Sequence, residues 1–225
     1  MTTLTQSMIE DALSVISTTI AMHKNPVVAY SGGKDALVTM HLVQQVRPST
    51  KGVCEMSFLF ERQADDIRNT VAKQGWDVDF VEHLNWDWIR KHPQLLFEAD
   101  VKGRGKRHFQ RQQTSVRLYA QRNNHDLVIF GRRTQENKVP AMVYNRKGVT
   151  QFHPIRNWTR DQVWEYLEMV GIPQPWIYSQ RFGQLAGNAP FYALRTTWTG
   201  SVEESWRQVT ELDPKINKER LYGNF

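Results

Sequence analysis

The chain has 225 residues, 40% of them hydrophobic and 23% charged, with a net charge of +6. That is the profile of a globular domain with a sizeable core, not of a disordered or fibrous chain, and the excess of positive charge suits polyanionic ligands. No run approaches the roughly eighteen apolar residues of a membrane span, and "MTTLTQSMIEDALSVI" carries acids without a basic leader segment, so a cytoplasmic protein without membrane contact is expected. Cys54 is the single cysteine, which excludes an intrachain disulfide, an iron–sulfur cluster and a multi-cysteine zinc site.

In chain order, Ile9, Leu13, Ile16 and Ile20 recur with the period of one helical face and predict an amphipathic helix over about 4–22. Pro26 stops that pattern, and "VVAY" (27–30) reads as a short buried parallel strand. A glycine loop follows, then a helix from Lys34 to Val46 that "RPSTKG" breaks. A second strand is expected in 52–60, a helix from Gln63 to Gln74 ending before Gly75, a third strand in 77–84, a helix over 109–123 and a fourth strand in 126–131. Such alternation predicts an α/β fold with a largely parallel sheet and right-handed crossovers, in a single domain spanning 1–225. Beyond Gly131 the alternation gives way to prolines, tryptophans and short apolar pieces, so 132–225 reads as a substrate-side elaboration and tail. One helix stands out there. Thr159 and Gln162 match a capping box, Val163, Trp164, Tyr166, Leu167 and Val170 supply an apolar face, and Gly171 and Pro173 end it. Within the tail, "VEESWRQVTEL" has a weak helical pattern.

The stretch "AYSGGKDAL" (29–37) carries the chemistry. A glycine loop between the end of a strand and the start of a helix offers free backbone amides where the helix dipole favours an anion. Gly32 and Gly33 permit tight curvature, while Ser31 and Lys34 can donate to phosphate oxygens. Asp35 can orient a magnesium ion, directly or through water, together with the phosphates of the bound nucleotide. Neither the nucleoside-triphosphatase loop pattern nor the dinucleotide-binding glycine pattern fits, so a different phosphate loop is required.

"SGGKDAL" resembles the signature of the PP-loop ATP pyrophosphatase superfamily, serine, two glycines, any residue, then aspartate or serine, after a first strand. Ala36 departs from the serine or threonine common in that signature. Within the superfamily, "VIFGRRTQENKVPAMVYNRKGVTQFHPIRNWTRDQVWEYLEMVGIP" is similar to the phosphoadenosine phosphosulfate reductase group, which includes the small subunit of ATP sulfurylase. It carries a glycine–arginine block, a hairpin, and a proline–isoleucine–x–x–tryptophan segment at Pro154, Ile155 and Trp158 with its following helix. The resemblance implies a Rossmann-like parallel sheet with helices on both faces, the adenine nucleotide alpha hydrolase-like fold, with the nucleotide across the C-terminal strand ends. It further implies adenine against the backbone near Leu59 and Phe60, close nucleotide approach at Gly131, and Arg132 or Arg133 neutralising phosphate or sulfate. Lys34, Asp35 and Arg133 are the expected catalytic residues, and Ser31, Gly32, Gly33, Lys34, Asp35, Leu59, Phe60, Gly131 and Arg132 the expected nucleotide-binding ones.

The reductases of the group carry a catalytic cysteine near the C-terminus, whereas this chain ends "ERLYGNF" and its one thiol, Cys54, falls in a predicted buried strand where a packing role is expected. What remains is attack of an acceptor oxygen on the α-phosphorus of ATP with loss of pyrophosphate, chemistry done by positioning and charge neutralisation. The expectation is therefore an ATP-dependent adenylyl-transferring enzyme or ATP pyrophosphatase, using ATP and Mg²⁺ and neither zinc nor an iron–sulfur cluster. The alternatives are a sulfonucleotide-binding, reductase-like protein without the catalytic cysteine, and a non-catalytic nucleotide-binding regulatory module. Residues 100–111 gather Lys102, Arg104, Lys106, Arg107 and Arg111, read as a lid over a small acceptor in preference to a nucleic-acid contact. His153 is placed near the site, Arg195 is a further candidate anion contact, and the tryptophans are assigned to packing. The acceptor is left open, as is the choice between a homo-oligomer and a partner protein.

Overall fold

The structure, a computed structural model, describes residues 3–56, 61–81, 115–135, 139, 141–146 and 148–179. Helix α1 (Gln6–Ala21) opens it, capped by the Thr5 side chain, which accepts from the Met8 amide. Its Ile9, Ile16 and Ile20 are buried, the face that the periodicity marks. Pro26 begins β1 (Pro26–Ala29), a strand position where a missing amide hydrogen is tolerated. Then come α2 (Lys34–Val46), β2 (Lys51–Glu55), α3 (Glu61–Gln74) and β3 (Val78–Val81). Gly75 ends α3 with φ +65°, the left-handed conformation in which glycine has no steric penalty. A helix running through 115–122 (α4) leads into β4 (Leu127–Phe130), and the hairpin β5 (Val143–Arg146) and β6 (Val149–Phe152) follows. Helices α5 (Arg160–Met169) and α6 (Trp176–Ser179) close the described chain.

The strands form one sheet in the order β3-β2-β1-β4-β6-β5. Every pairing is parallel except that of β5 with β6. Side chains alternate across the strands, so Val28, Leu127, Ile129 and Phe152 pack with α1, α2, α3 and α5, while Val27, Val53, Val128 and Phe130 pack with Val116 and Ala120 of α4. Helices therefore cover both faces, and the sheet is buried between them. At its N-terminal edge, Asp126 accepts from the amides of Lys24 and Asn25 at 2.8 and 2.9 Å, which ties the entry of β4 to that of β1. The capping box of α5 is complete, with Thr159 accepting from the Gln162 amide and Gln162 from the Thr159 amide. Strand β2 ends at Glu55, and residues 57–60 of the predicted longer strand lie outside the described residues.

Candidate active site

From β1 the chain runs to β2 and β3 on one side and returns at β4 on the other, which makes the C-terminal ends of β1 and β4 the topological switch point of the sheet. The loop Ser31–Gly33 leaves β1 here, and Gly131–Gln135 leaves β4. Gly32 has φ +68°, and a Cβ on it would stand 2.3 Å from Cγ1 of Ile67. Both conformation and space thus demand glycine at Gly32. Gly131 is required for another reason: its missing Cβ would meet the Asp35 carbonyl oxygen at 2.4 Å and the Ala36 nitrogen at 2.9 Å. Glycine there lets β4 press against the first turn of α2, so the two loops of the switch point are in direct backbone contact. Ala36 is buried in the core on that turn.

Three charged side chains cross the junction. Asp35 Oδ2 lies 2.7 Å from Lys34 Nζ, and Asp35 Oδ1 accepts from Arg133 Nε at 2.6 Å. Lys34 and Arg133 are 0% exposed and Asp35 only 14%. The lysine is therefore enclosed. Two cations thus meet the Asp35 carboxylate in a desolvated setting where electrostatic interactions are strong. Arg133 is held further by Gln135 Oε1 at 2.8 Å and the Trp158 carbonyl at 3.4 Å. Gln135 Oε1 also accepts from the Arg160 amide at the start of α5, 2.8 Å away. Thr134 donates its amide to the Arg156 carbonyl at 2.9 Å. The Pro154–Trp158 segment thus clamps the loop that carries Arg133.

Arg132 and Arg133, adjacent in sequence, serve opposite faces of the sheet. Arg132 lies over the Phe130 ring at 4.3 Å. Burial, with Arg146 nearby, lowers its guanidinium to about 10, and it remains a cation. Beside it, His153 stacks between Phe130 and Tyr144 at centroid distances of 5.7 and 5.4 Å. Burial, with the charges of Arg132 and Arg156, pushes its imidazole down to about 3, opposed weakly by the Phe130 backbone. His153, expected near the site, is a neutral ring in an aromatic stack on Arg132's face. Cys54 is 0% exposed. Burial, reinforced by the Glu55 charge, drives its thiol far above the ordinary range, so it has no thiolate character.

Of the expected site residues, Ser31 to Asp35, Gly131 and Arg133 converge at the switch point. Leu59, Phe60, the basic residues Lys102, Arg104, Lys106, Arg107 and Arg111, and Arg195 lie outside the described residues. Gln135 and Tyr178 are additions. The Tyr178 hydroxyl accepts from the Lys34 amide at 3.4 Å. That contact spans 144 residues, and nothing local in the sequence signals it. Among the described residues no three His, Cys, Asp or Glu side chains gather as a metal site, and no helix is long and apolar enough to cross a membrane.

The phosphoadenosine phosphosulfate reductase domain model matches residues 25–188, well over half of the chain and every site element above. The chain belongs to the phosphoadenosine phosphosulfate reductase family. Within the PP-loop superfamily that contains it, similar curated proteins are named sulfate adenylyltransferase subunit 2. The one from Mycolicibacterium gilvum is 28% identical over 75% of this chain and 62% of the relative. That from Chromobacterium violaceum is 25% identical over 74% and 63%. The chain spans just under two thirds of the length of the curated relatives it matches first. Among solved structures, the phosphate complex of the phosphoadenylyl-sulfate reductase of Candida auris aligns with a TM-score of 0.60 at 16% identity, covering 79% of this chain and 93% of that one. The NH3-dependent NAD synthetase of Campylobacter jejuni aligns with a TM-score of 0.58 at 14% identity, covering 98% and 96%. At these identities the likeness is one of fold, the Rossmann-like adenine nucleotide alpha hydrolase architecture. Both the curated and the structural relatives are enzymes or enzyme subunits.

Proposed function

We propose that the chain is an ATP-dependent adenylyl-transferring enzyme or ATP pyrophosphatase that cleaves ATP between the α and β phosphates. The observation that carries this reading is the buried Lys34–Asp35–Arg133 junction at the switch point, next to a glycine loop that leads into α2. A triphosphate against the first turn of α2 meets the amides of that turn and the positive end of the helix dipole. Lys34 and Arg133 add two positive charges, and Asp35 orients both, so charge developing on the phosphates as pyrophosphate leaves is stabilised without a protein nucleophile. The buried, non-acidic Cys54 supports chemistry that uses no thiol. The name of the relatives as subunit 2 supports a protein partner, and sulfate is one acceptor to test among the oxyanions.

Asp35 faces a cation with each carboxylate oxygen, at 2.7 and 2.6 Å, so on this reading its main role is to hold Lys34 and Arg133. Magnesium on this reading is carried by the nucleotide's phosphates, where it supplies charge neutralisation.

The test is pyrophosphate release from ATP and Mg²⁺ with a panel of acceptors. Lys34→Met keeps the buried stem but removes the charge, and its turnover should fall about 10²–10³-fold. Full wild-type turnover in a folded Lys34→Met protein, or a wild type that releases no pyrophosphate yet binds phosphoadenosine phosphosulfate, would overturn the reading.

A further inference from the structure

We infer that Tyr178 is a nucleotide-binding residue, whose hydroxyl donates a hydrogen bond to the phosphate group seated at the start of α2; this rests on the reading of that loop given above. Helix α2 has a distinctive beginning. Its N-cap is Gly33, which has no side chain to satisfy the first-turn amides. The Lys34 amide is instead met from 144 residues away by Tyr178 Oη, at the long distance of 3.4 Å. The Lys34 ammonium also lies 5.9 Å from the centre of the Tyr178 ring, so the residue borders both the amide and the side chain of Lys34.

Tyr178 is fixed by its surroundings. It is 4% exposed, and Trp164 of α5 packs edge-on against it at 5.0 Å with an interplanar angle of 88°. Its helix α6 is pinned to α3, since the Trp176 amide donates to Asp66 at 2.9 Å and the Arg62 guanidinium lies 5.0 Å from the Trp176 ring centre. Four residues of helix, held between α3 and α5, deliver one hydroxyl to the N-terminus of α2.

A phosphate at that terminus takes the amides as donors, and the Lys34 amide is among them. A hydroxyl both accepts and donates. When a phosphate oxygen takes the Lys34 amide, the Tyr178 hydroxyl can rotate its proton toward that oxygen with little displacement of the ring, exchanging a weak acceptor role for a charge-assisted donor role. The sequence offers phosphate ligands from the loop and from arginines; Tyr178 adds a hydroxyl from across the fold.

Tyr178→Phe removes the oxygen and keeps the ring packed against Trp164 and Lys34. Calorimetric titration of wild type and variant with ATP and with adenosine should give an ATP affinity lowered about 10–100-fold, the usual effect of losing one hydrogen bond to a charged group. Adenosine affinity and the melting temperature should be nearly unchanged. Equal ATP affinity in the two proteins overturns the inference and leaves nucleotide binding at the loop standing. An equal loss for ATP and adenosine also overturns it, because the hydroxyl would then be acting on the fold or on the base. A wild type that binds neither ATP nor phosphoadenosine phosphosulfate overturns both this inference and the reading on which it rests.

Discussion

At the scale of single residues, the loop Ser31–Asp35 was legible because its chemistry is local: glycines where the backbone must turn and a lysine and an aspartate at a helix start. The burial of Lys34 and the pairing of its partner Asp35 with Arg133 were not legible, since Asp35 and Arg133 are 98 positions apart and no periodicity reports such a pairing. Gly131 illustrates the same limit. Its place in the motif is plain, but its steric reason, the backbone of Asp35 and Ala36, emerges only once β4 lies beside β1. This reason predicts a contrast between two glycines. In Gly131→Ala the new Cβ would sit 2.4 Å from a backbone oxygen that cannot swing away, so α2 must shift from β4, at a cost of about 3 kcal/mol or more. Gly75→Ala meets nothing within 4 Å and has only its φ of +65° to strain it, a cost of roughly 1–2 kcal/mol. Urea denaturation of the two variants measures both costs, and a Gly131→Ala protein as stable as Gly75→Ala would show that β4 and α2 are not packed backbone to backbone.

At the scale of elements, α1, α2, α3 and α5 were readable because period, caps and breakers agree. The capping box at Thr159 and Gln162 is the plainest case. The hairpin was available only through family resemblance, as β5 is four residues long with a mixed, mostly exposed pattern. Helix α6, also four residues, is too short to show any period. What β6 contributes beyond its ladder is the buried His153 at its end, and this gives the fold a pH dependence. The folded imidazole is held down to about 3 from an ordinary value of 6.5, so between those limits the unfolded chain binds a proton that the folded chain does not. Stability must then rise with pH across that window and fall on acidification from about 6.5 toward 3, by at most about 1.4 kcal/mol per pH unit from this one group. His153→Phe preserves a ring between Phe130 and Tyr144 and removes the titration. Denaturation at pH 7 and pH 5 should lose less stability between the two values in the variant than in wild type, and equal losses would mean that the histidine titrates normally in the fold.

At the scale of the whole molecule, alternation along the chain was enough to predict a largely parallel sheet, and the family resemblance added helices on both of its faces. Alternation could not supply the strand order. That β4 lies beside β1, and that β6 separates β4 from β5, depends on long-range pairing with no counterpart in local pattern. The order matters for function because it brings loops about a hundred residues apart to the switch-point crevice at the C-terminal ends of β1 and β4. A ligand held there contacts both parts of the sheet and stabilises their union, so its binding should register in the melting of the entire domain. At ATP concentrations a hundredfold above the dissociation constant, the folded state gains about 2.7 kcal/mol. For a chain of this size that raises the melting temperature by about 5–10 °C. With ATP and phosphoadenosine phosphosulfate at equal concentration, the proposed function predicts the larger shift for ATP, and Arg133→Met should abolish most of it by removing the charge that β4 contributes to the junction. A larger shift with the sulfonucleotide would instead assign the crevice to a reductase-type ligand, and the Arg133 junction would then be the part of the sheet that receives its phosphate or sulfate.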